Sequence, residues 1–344
     1  MGGIAAEFID DLAITTLENV RKGPWADIAH DFQRFVALRQ LMQKHKIGLQ
    51  AGDFINFEVR TSRGVAGKNV LIGEPVSVNI PNMFSVGRVD WRHSRVPWAY
   101  NTTTLMMNRS PERIISLLTA ARLAAFGEAA ELMEENWWRS AGIDDNKTPF
   151  PLAYWVVKNA TKGFNGGNPT GFSAGAAGLS SSTFTNWANW TDQYTDITQD
   201  DAVMKMTEAF EKTRFEAPFK HEQHGSGNRA LSLFMNYDTW RDFIRIAQQQ
   251  NDRIGFSLNP AAGKVNFHGV VLEWVPALAS DTSNPIYFVD FDKFKFVFLK
   301  GRYMTETGPL RPTVQPDMRQ NTIDWTYNTI CYDRRGQAVL RKAA

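Results

Sequence analysis

The chain has 344 residues, of which 43% are hydrophobic and 22% charged. That composition excludes wholesale disorder and gives enough chain for two or three domains with a sizeable core. Its 38 basic and 36 acidic side chains leave a net charge of +2, without the basic surplus or cluster of a dedicated nucleic-acid binder.

In chain order, residues 1–46 read as thin helical segments. "DFQRFVALRQLMQKHKIG" places Phe32, Phe35, Val36 and Met42 near one stripe, and Gly48 can close it. A weaker amphipathic stretch surrounds Phe8 and Leu12, separated from the first by Gly23-Pro24. A two-stranded ribbon is expected over 47–78. Ile55, Phe57 and Val59 alternate with Asn56, Glu58 and Arg60. The returning arm offers Val70, Ile72, Val76 and Val78. Gly64 and Gly67 lie between, with Arg63 and Lys68 near the tip. An isolated ribbon is marginal in water, so this one must lie on this chain or on another copy. "MFSVGRVDWRHSRVPWAYNTT" then reads as strand-like.

The strongest element is "SPERIISLLTAARLAAFGEAAELMEENWWRS". Ser110 is the N-cap, Pro111 takes the first helical position and Glu112 the first turn. Ile114, Leu118, Ala121, Ala125, Ala129 and Leu132 form the apolar stripe. Arg122, Glu128, Glu131, Glu134 and Glu135 supply the charges, and Gly142 ends the run. Such a helix is about 45 Å long. Residues 160–200 are rich in Gly, Ser, Asn and Thr and read as a long loop region. Helices at "VMKMTEAFEKTRF" and "YDTWRDFIRIAQQQ" follow, with strands at "ALSLFMN", "FHGVVLEWV", "IYFVDF" and "FKFVFL". This is a mixed α+β domain without the strict alternation of a doubly wound sheet. The end alternates: Ile323, Trp325, Tyr327, Thr329 and Cys331 against Asp324, Thr326 and Asn328. "DRRG" then turns the chain into "QAVL".

The single cysteine, Cys331, permits neither an intrachain disulfide nor a cysteine-based zinc site. The start lacks the pattern of a signal peptide, and no apolar run approaches the roughly 20 residues of a membrane span. A soluble chain in a reducing compartment is expected.

Short motifs do not assemble into a catalytic constellation. "GFSAG" (171–175) matches a nucleophile elbow around Ser173, but its flanks are neither strand nor helix, which leaves a serine hydrolase as the alternative reading. "KHEQHG" spaces His221 and His224 by three about Glu222, not the four of a helical zinc site. "GSGNRA" (225–230) leads into a strand rather than a helix, unlike a phosphate-cradling loop. Trp187 and Trp190 in "WANW" could form a stacking platform for a binding module, although core tryptophans are the plainer reading. No catalytic residue, metal or cofactor is implied.

The order of elements resembles the major capsid protein of tailed bacteriophages, a fold shared with herpesvirus capsids. "SPERIISLLTAARLAAFGEAAELMEENWW" looks like that family's spine helix. "IYFVDFDKFKFVFLKGRYMTETGP" with "TIDWTYNTICYDRRGQAV" looks like its ending. The resemblance implies an α+β capsid fold with an N-terminal arm (1–46) and an extended hairpin loop (47–78). A first peripheral part (79–160) would carry the spine helix over 110–141. An axial domain (161–300) and a returning peripheral part (301–344) would follow. It further implies a non-enzymatic subunit that self-assembles, as pentamers and hexamers, into an icosahedral shell around double-stranded DNA.

The hairpin's apolar face would be buried between chains, with Arg60, Arg63 and Lys68 as inter-subunit contacts. Implied partners are a portal, a separate scaffolding protein, decoration proteins and DNA held without sequence specificity. The location is the virion, assembled in the host cytoplasm, without membrane contact. Some members carry a cleaved N-terminal scaffold of roughly a hundred residues. Here about 30 residues precede "DFQRF", starting at Met1, so a separate scaffold or none is expected rather than trimming. A few members crosslink a hairpin lysine to a neighbour's asparagine. Lys68 with Asn321 or Asn328 would be the pair here, and no suitable carboxylate is evident, so no crosslink is expected.

Overall fold

The computed structural model describes residues 35–43, 47–61, 69–72, 83–107, 111–142, 146–214, 230–254, 266–315 and 317–343. In chain order these form α1 (Val36–Leu41), β1 (Ile47–Gln50), β2 (Phe54–Arg60), β3 (Phe84–Asp90), β4 (Arg92–Asn101), α2 (Thr102–Met107) and α3 (Pro111–Trp138). Next come α4 (Leu152–Trp155), β5 (Gly163–Gly166), β6 (Asn189–Tyr194), α5 (Met204–Thr213), β7 (Leu231–Met235) and α6 (Tyr237–Ile254). The chain closes with β8 (Asn266–Phe267), β9 (Val270–Trp274), β10 (Ile286–Asp290), β11 (Phe294–Leu299), β12 (Thr305–Leu310), β13 (Met318–Cys331) and β14 (Ala338–Lys342).

Two sheets organise the molecule. In one, β13 pairs with β11 and β12 along one side and with β4 along the other, and β1 joins β11 in parallel. The other has seven strands in the order β5-β6-β14-β10-β7-β9-β8. Helix α3 lies across one face of the first sheet. Leu118, Ala125, Ala129, Met133 and Trp137 are buried at seven- and four-residue spacing, while Ala121 and Leu132 are half-buried. The alanines bring the helix close to the sheet, and its last turns widen into tryptophan. Trp137 sits 5.2 Å from the Phe294 ring, edge-on, and 6.2 Å from Phe296. Burying such aromatic pairs dominates the energetics of a core of this kind. A second core lies under α5 and α6, where Met206, Ala209 and Phe243 meet Leu233, Phe288 and Leu340 of the seven-stranded sheet.

Two charges that the helical pattern puts on the outer side of α3 are buried. Arg122 pairs with Glu306 of β12 at 3.0 Å. The Glu134 carboxylate is 1% exposed and accepts hydrogen bonds from the backbone N–H groups of Val36, Ala37 and Leu38 and from the Trp138 indole. A carboxylate at the start of α1 satisfies N–H groups that a helix leaves without partners. It thereby fixes the segment leading out of residues 1–34 to the main helix.

Pairing corrects three expectations. The strand that pairs with β2 is β3: Ile55 faces Val89, Phe57 faces Gly87 and Val59 faces Ser85, and of the arm expected over 70–78 only residues 70–72 are described. Val70 and Ile72 are exposed, and Val76 and Val78 lie outside the described residues. The reason is steric. A Cβ on Gly87 would lie 2.6 Å from the Phe57 ring, so only a glycine opposite Phe57 lets that ring lie flat across the ribbon. Second, β11, within the stretch expected to be axial, belongs to the sheet under α3. Third, the chain does not finish there, because β14 inserts between β6 and β10 of the seven-stranded sheet. Ala338, Val339 and Leu340 are all buried, so this strand needs cover on both faces, which a central position gives.

Candidate assembly surface

The ribbon divides along its length and between its faces. Its inner face is closed by its own chain: Ile55, Phe57 and Val89 are 5% exposed or less. Phe57 meets Trp155 at 6.3 Å and Tyr332 at 5.7 Å, both edge-on. The Arg88 N–H donates to the Ala177 carbonyl at 2.9 Å, tying the ribbon to the glycine-rich turns. This overturns the expectation that Ile55, Phe57 and Val59 are buried between chains. They are core residues, because α4 and the turn after β13 carry aromatics to the ribbon's root.

The outer face is open. Phe84 is 52% and Val86 58% exposed, opposite Arg60 and Glu58. Beyond the ribbon, Leu71 is 81% exposed and Ile72 fully so. Arg60 stands at the ribbon's far end, and Arg63 and Lys68 lie outside the described residues. The exposed apolar residues that the sequence reading missed are therefore Phe84 and Val86. Their signal is present: β3 is seven residues long, as β2 is, and alternates Phe84, Val86 and Arg88 against Ser85, Gly87 and Val89.

The supporting wall is built around Arg334. Its guanidinium is fully buried and donates to the carbonyls of Trp155, Trp187, Gly166 and Gly167 at 2.7–3.1 Å. Burial lowers its pKa to about 10, which leaves it charged at neutral pH. It holds Trp155, and so the seat of Phe57. The turns it gathers need their glycines in places: Gly175 has φ +86°, and a Cβ there would lie 2.2 Å from the Leu179 carbonyl oxygen.

The short sequence motifs lie in or beside this wall or outside the described residues. Ser173 is exposed among turns, with neither strand before it nor helix after it. Trp187 and Trp190 are 4% and 5% exposed, one donating its indole N–H to the Ala176 carbonyl, so they form core and not a platform. His221, Glu222, His224 and residues 225–229 lie outside the described residues. The Cys331 thiol is buried and its pKa is raised by that burial. Asn321 is completely buried. Asn328 accepts from the Phe150 N–H and donates to the Asp90 carbonyl. Both amides are thus enclosed by their own chain.

No family model matches this chain, and no curated protein does. Solved structures do. A chain of the cyanophage A-1(L) capsid asymmetric unit aligns with TM-score 0.62 at 13% identity, covering 93% of this chain and 96% of that one. The capsid of a native GTA particle aligns with TM-score 0.57 at 12% identity, over 94% and 95%. A chain from Gordonia phage Cozz gives TM-score 0.53 at 12% identity, over 94% and 91%. The fold is the α+β fold of tailed-phage capsid proteins, shared over nearly the whole length of both chains.

Proposed function

We propose that this protein is the major shell subunit of a tailed phage: many copies associate, as pentamers and hexamers, into an icosahedral capsid that encloses double-stranded DNA. The observation that carries this reading is the full-length match of fold to capsid chains, joined to a ribbon whose inner face is sealed and whose outer apolar face is not. A monomer gains nothing from exposing Phe84, Val86, Leu71 and Ile72, whereas a neighbouring copy laid across them would bury them. Arg60, Arg63 and Lys68 then act at the contact between subunits.

The α3 layer with its five-stranded sheet serves as the peripheral body and the seven-stranded sheet as the axial body. The role is structural and not catalytic. A separate scaffolding protein, a portal and decoration proteins complete the particle, which assembles in the host cytoplasm. The near-neutral net charge suits a shell that must hold dense DNA without gripping it, since counterions neutralise most of the phosphates.

Purified protein sized by light scattering and imaged in negative stain tests the reading. Rings or closed shells are the expected result. A monomer at every concentration, with or without co-expressed scaffold, overturns it.

A further inference from the structure

The five-stranded sheet has two unlike faces. Along β4, Val96, Trp98 and Tyr100 turn inward beneath α3, while His93, Arg95, Pro97, Ala99 and Asn101 are exposed on the other side. Cross-strand register sets Asp324 of β13 opposite Arg95, and Thr305 of β12 opposite Asp324. Around a depression of about 490 Å³ on this face stand His93, Arg95 and Arg302, with Asp324 the one acid. Arg95 already neutralises it, with Nε at 2.6 Å from Asp324 Oδ1 and a second bond to Oδ2. His93 Nδ1 and Thr326 Oγ1 are hydrogen-bonded at 2.7 Å, leaving the rest of the ring to solvent. Arg302 is exposed and pairs with no carboxylate among the described residues.

Other hollows differ in charge. The cleft of about 900 Å³ at the end of α3 balances Arg139 and Lys158 against Glu135 and Asp281. The depression of about 440 Å³ beside β9 has only Glu273. The open sheet face combines an uncommitted guanidinium, a second arginine at the rim, an imidazole and the exposed threonines Thr305 and Thr307. Arginine and hydroxyl side chains are among the groups that contact phosphate oxygens. No described helix projects from this face to enter a groove, which suits contact with the backbone.

We propose that this open face contacts the phosphate backbone of the packaged duplex and so forms the inner wall of the shell, an inference that rests on the capsid reading above. The cationic excess is small, and the contact is correspondingly weak, independent of sequence and sensitive to salt.

Dispersed wild-type subunits titrated against a short fluorescent DNA duplex across a range of salt concentrations provide the test. Arg302→Ala should weaken binding about threefold or more at low salt and reduce the salt slope by about 0.9, equally for duplexes of unrelated sequence. Asp324→Asn, which releases Arg95, should tighten binding. Arg241→Ala on α6, where the arginine already faces Asp238 and Asp242, should leave binding within about twofold of wild type.

Equal losses for Arg302→Ala and Arg241→Ala would mean that only net charge acts, and would overturn the assignment. An Arg302→Ala variant that binds the duplex normally but no longer assembles would assign the face to a neighbouring subunit instead, and would overturn it too. Wild-type protein that never assembles defeats the capsid reading through particle size, a readout separate from the duplex titration.

Discussion

The two faces of the ribbon have similar residues and opposite fates. Ile55, Phe57 and Val89 on one face are almost fully buried, while Phe84 and Val86 on the other are more than half exposed. Apolar character therefore does not decide which face the chain covers for itself. The decision lies in what the rest of the chain brings against each face. Trp155, Tyr332 and the turns held by Arg334 arrive on the inner side, and nothing described arrives on the outer side over Phe84 and Val86. The inner face thus contributes to folding, and the outer face is the one the proposed shell would use for assembly.

Removing the support of the inner face should have the largest effect. Arg334→Ala leaves four carbonyls without donors in a buried site, each costing about 1–3 kcal/mol. We expect a loss of at least about 4 kcal/mol in urea unfolding of the dispersed subunit. A loss under about 1 kcal/mol would show that the turns hold without it.

Phe57→Ala should follow, at about 3–5 kcal/mol, the range for a buried phenylalanine. A near-neutral result would place Phe57 at an interface after all.

The third measurement concerns the root of the N-terminal segment, which is sealed by a charge in place of a ring. Burial raises the Glu134 pKa above its ordinary 4.5, despite the N–H groups that favour the ionised form. A carboxyl raised in the folded state contributes stability that is complete below its unfolded value and is lost as pH rises through its folded value. Wild-type stability should therefore decline upward from about pH 4.5 through the folded pKa, and Glu134→Gln should flatten that decline. An unchanged slope in the variant would assign it to other groups.

The smallest change in subunit stability is expected on the outer face. Phe84→Ser combined with Val86→Ser should alter unfolding by under about 0.5 kcal/mol, as for exposed substitutions generally, yet block particle formation. Particles of normal size and yield would remove the outer face from the assembly surface.

Much of the fold was legible because local chemistry writes it. Proline at the head of α3 and its repeating apolar positions fix a long helix. The alternation of Ile323, Trp325 and Tyr327 fixes a long strand, and the order of elements carries the resemblance to phage capsids. Local patterns could not choose the partner of β2, because Val70 and Ile72 alternate as acceptably as Ser85, Gly87 and Val89. Only the need to fit the Phe57 ring over a glycine, with Trp155 beneath it, selects β3. Nor could charge alone place Arg122, Glu134 and Arg334 inside. A buried ion is tolerable only where distant groups converge on it: Glu306, the first N–H groups of α1, and four carbonyls from three separate stretches. The sequence by itself determined which segments are helix or strand and which faces are apolar. Tertiary structure decided which of those faces the chain covers for itself, because that depends on contacts between residues far apart in the chain, such as Phe57 with Trp155 and Tyr332.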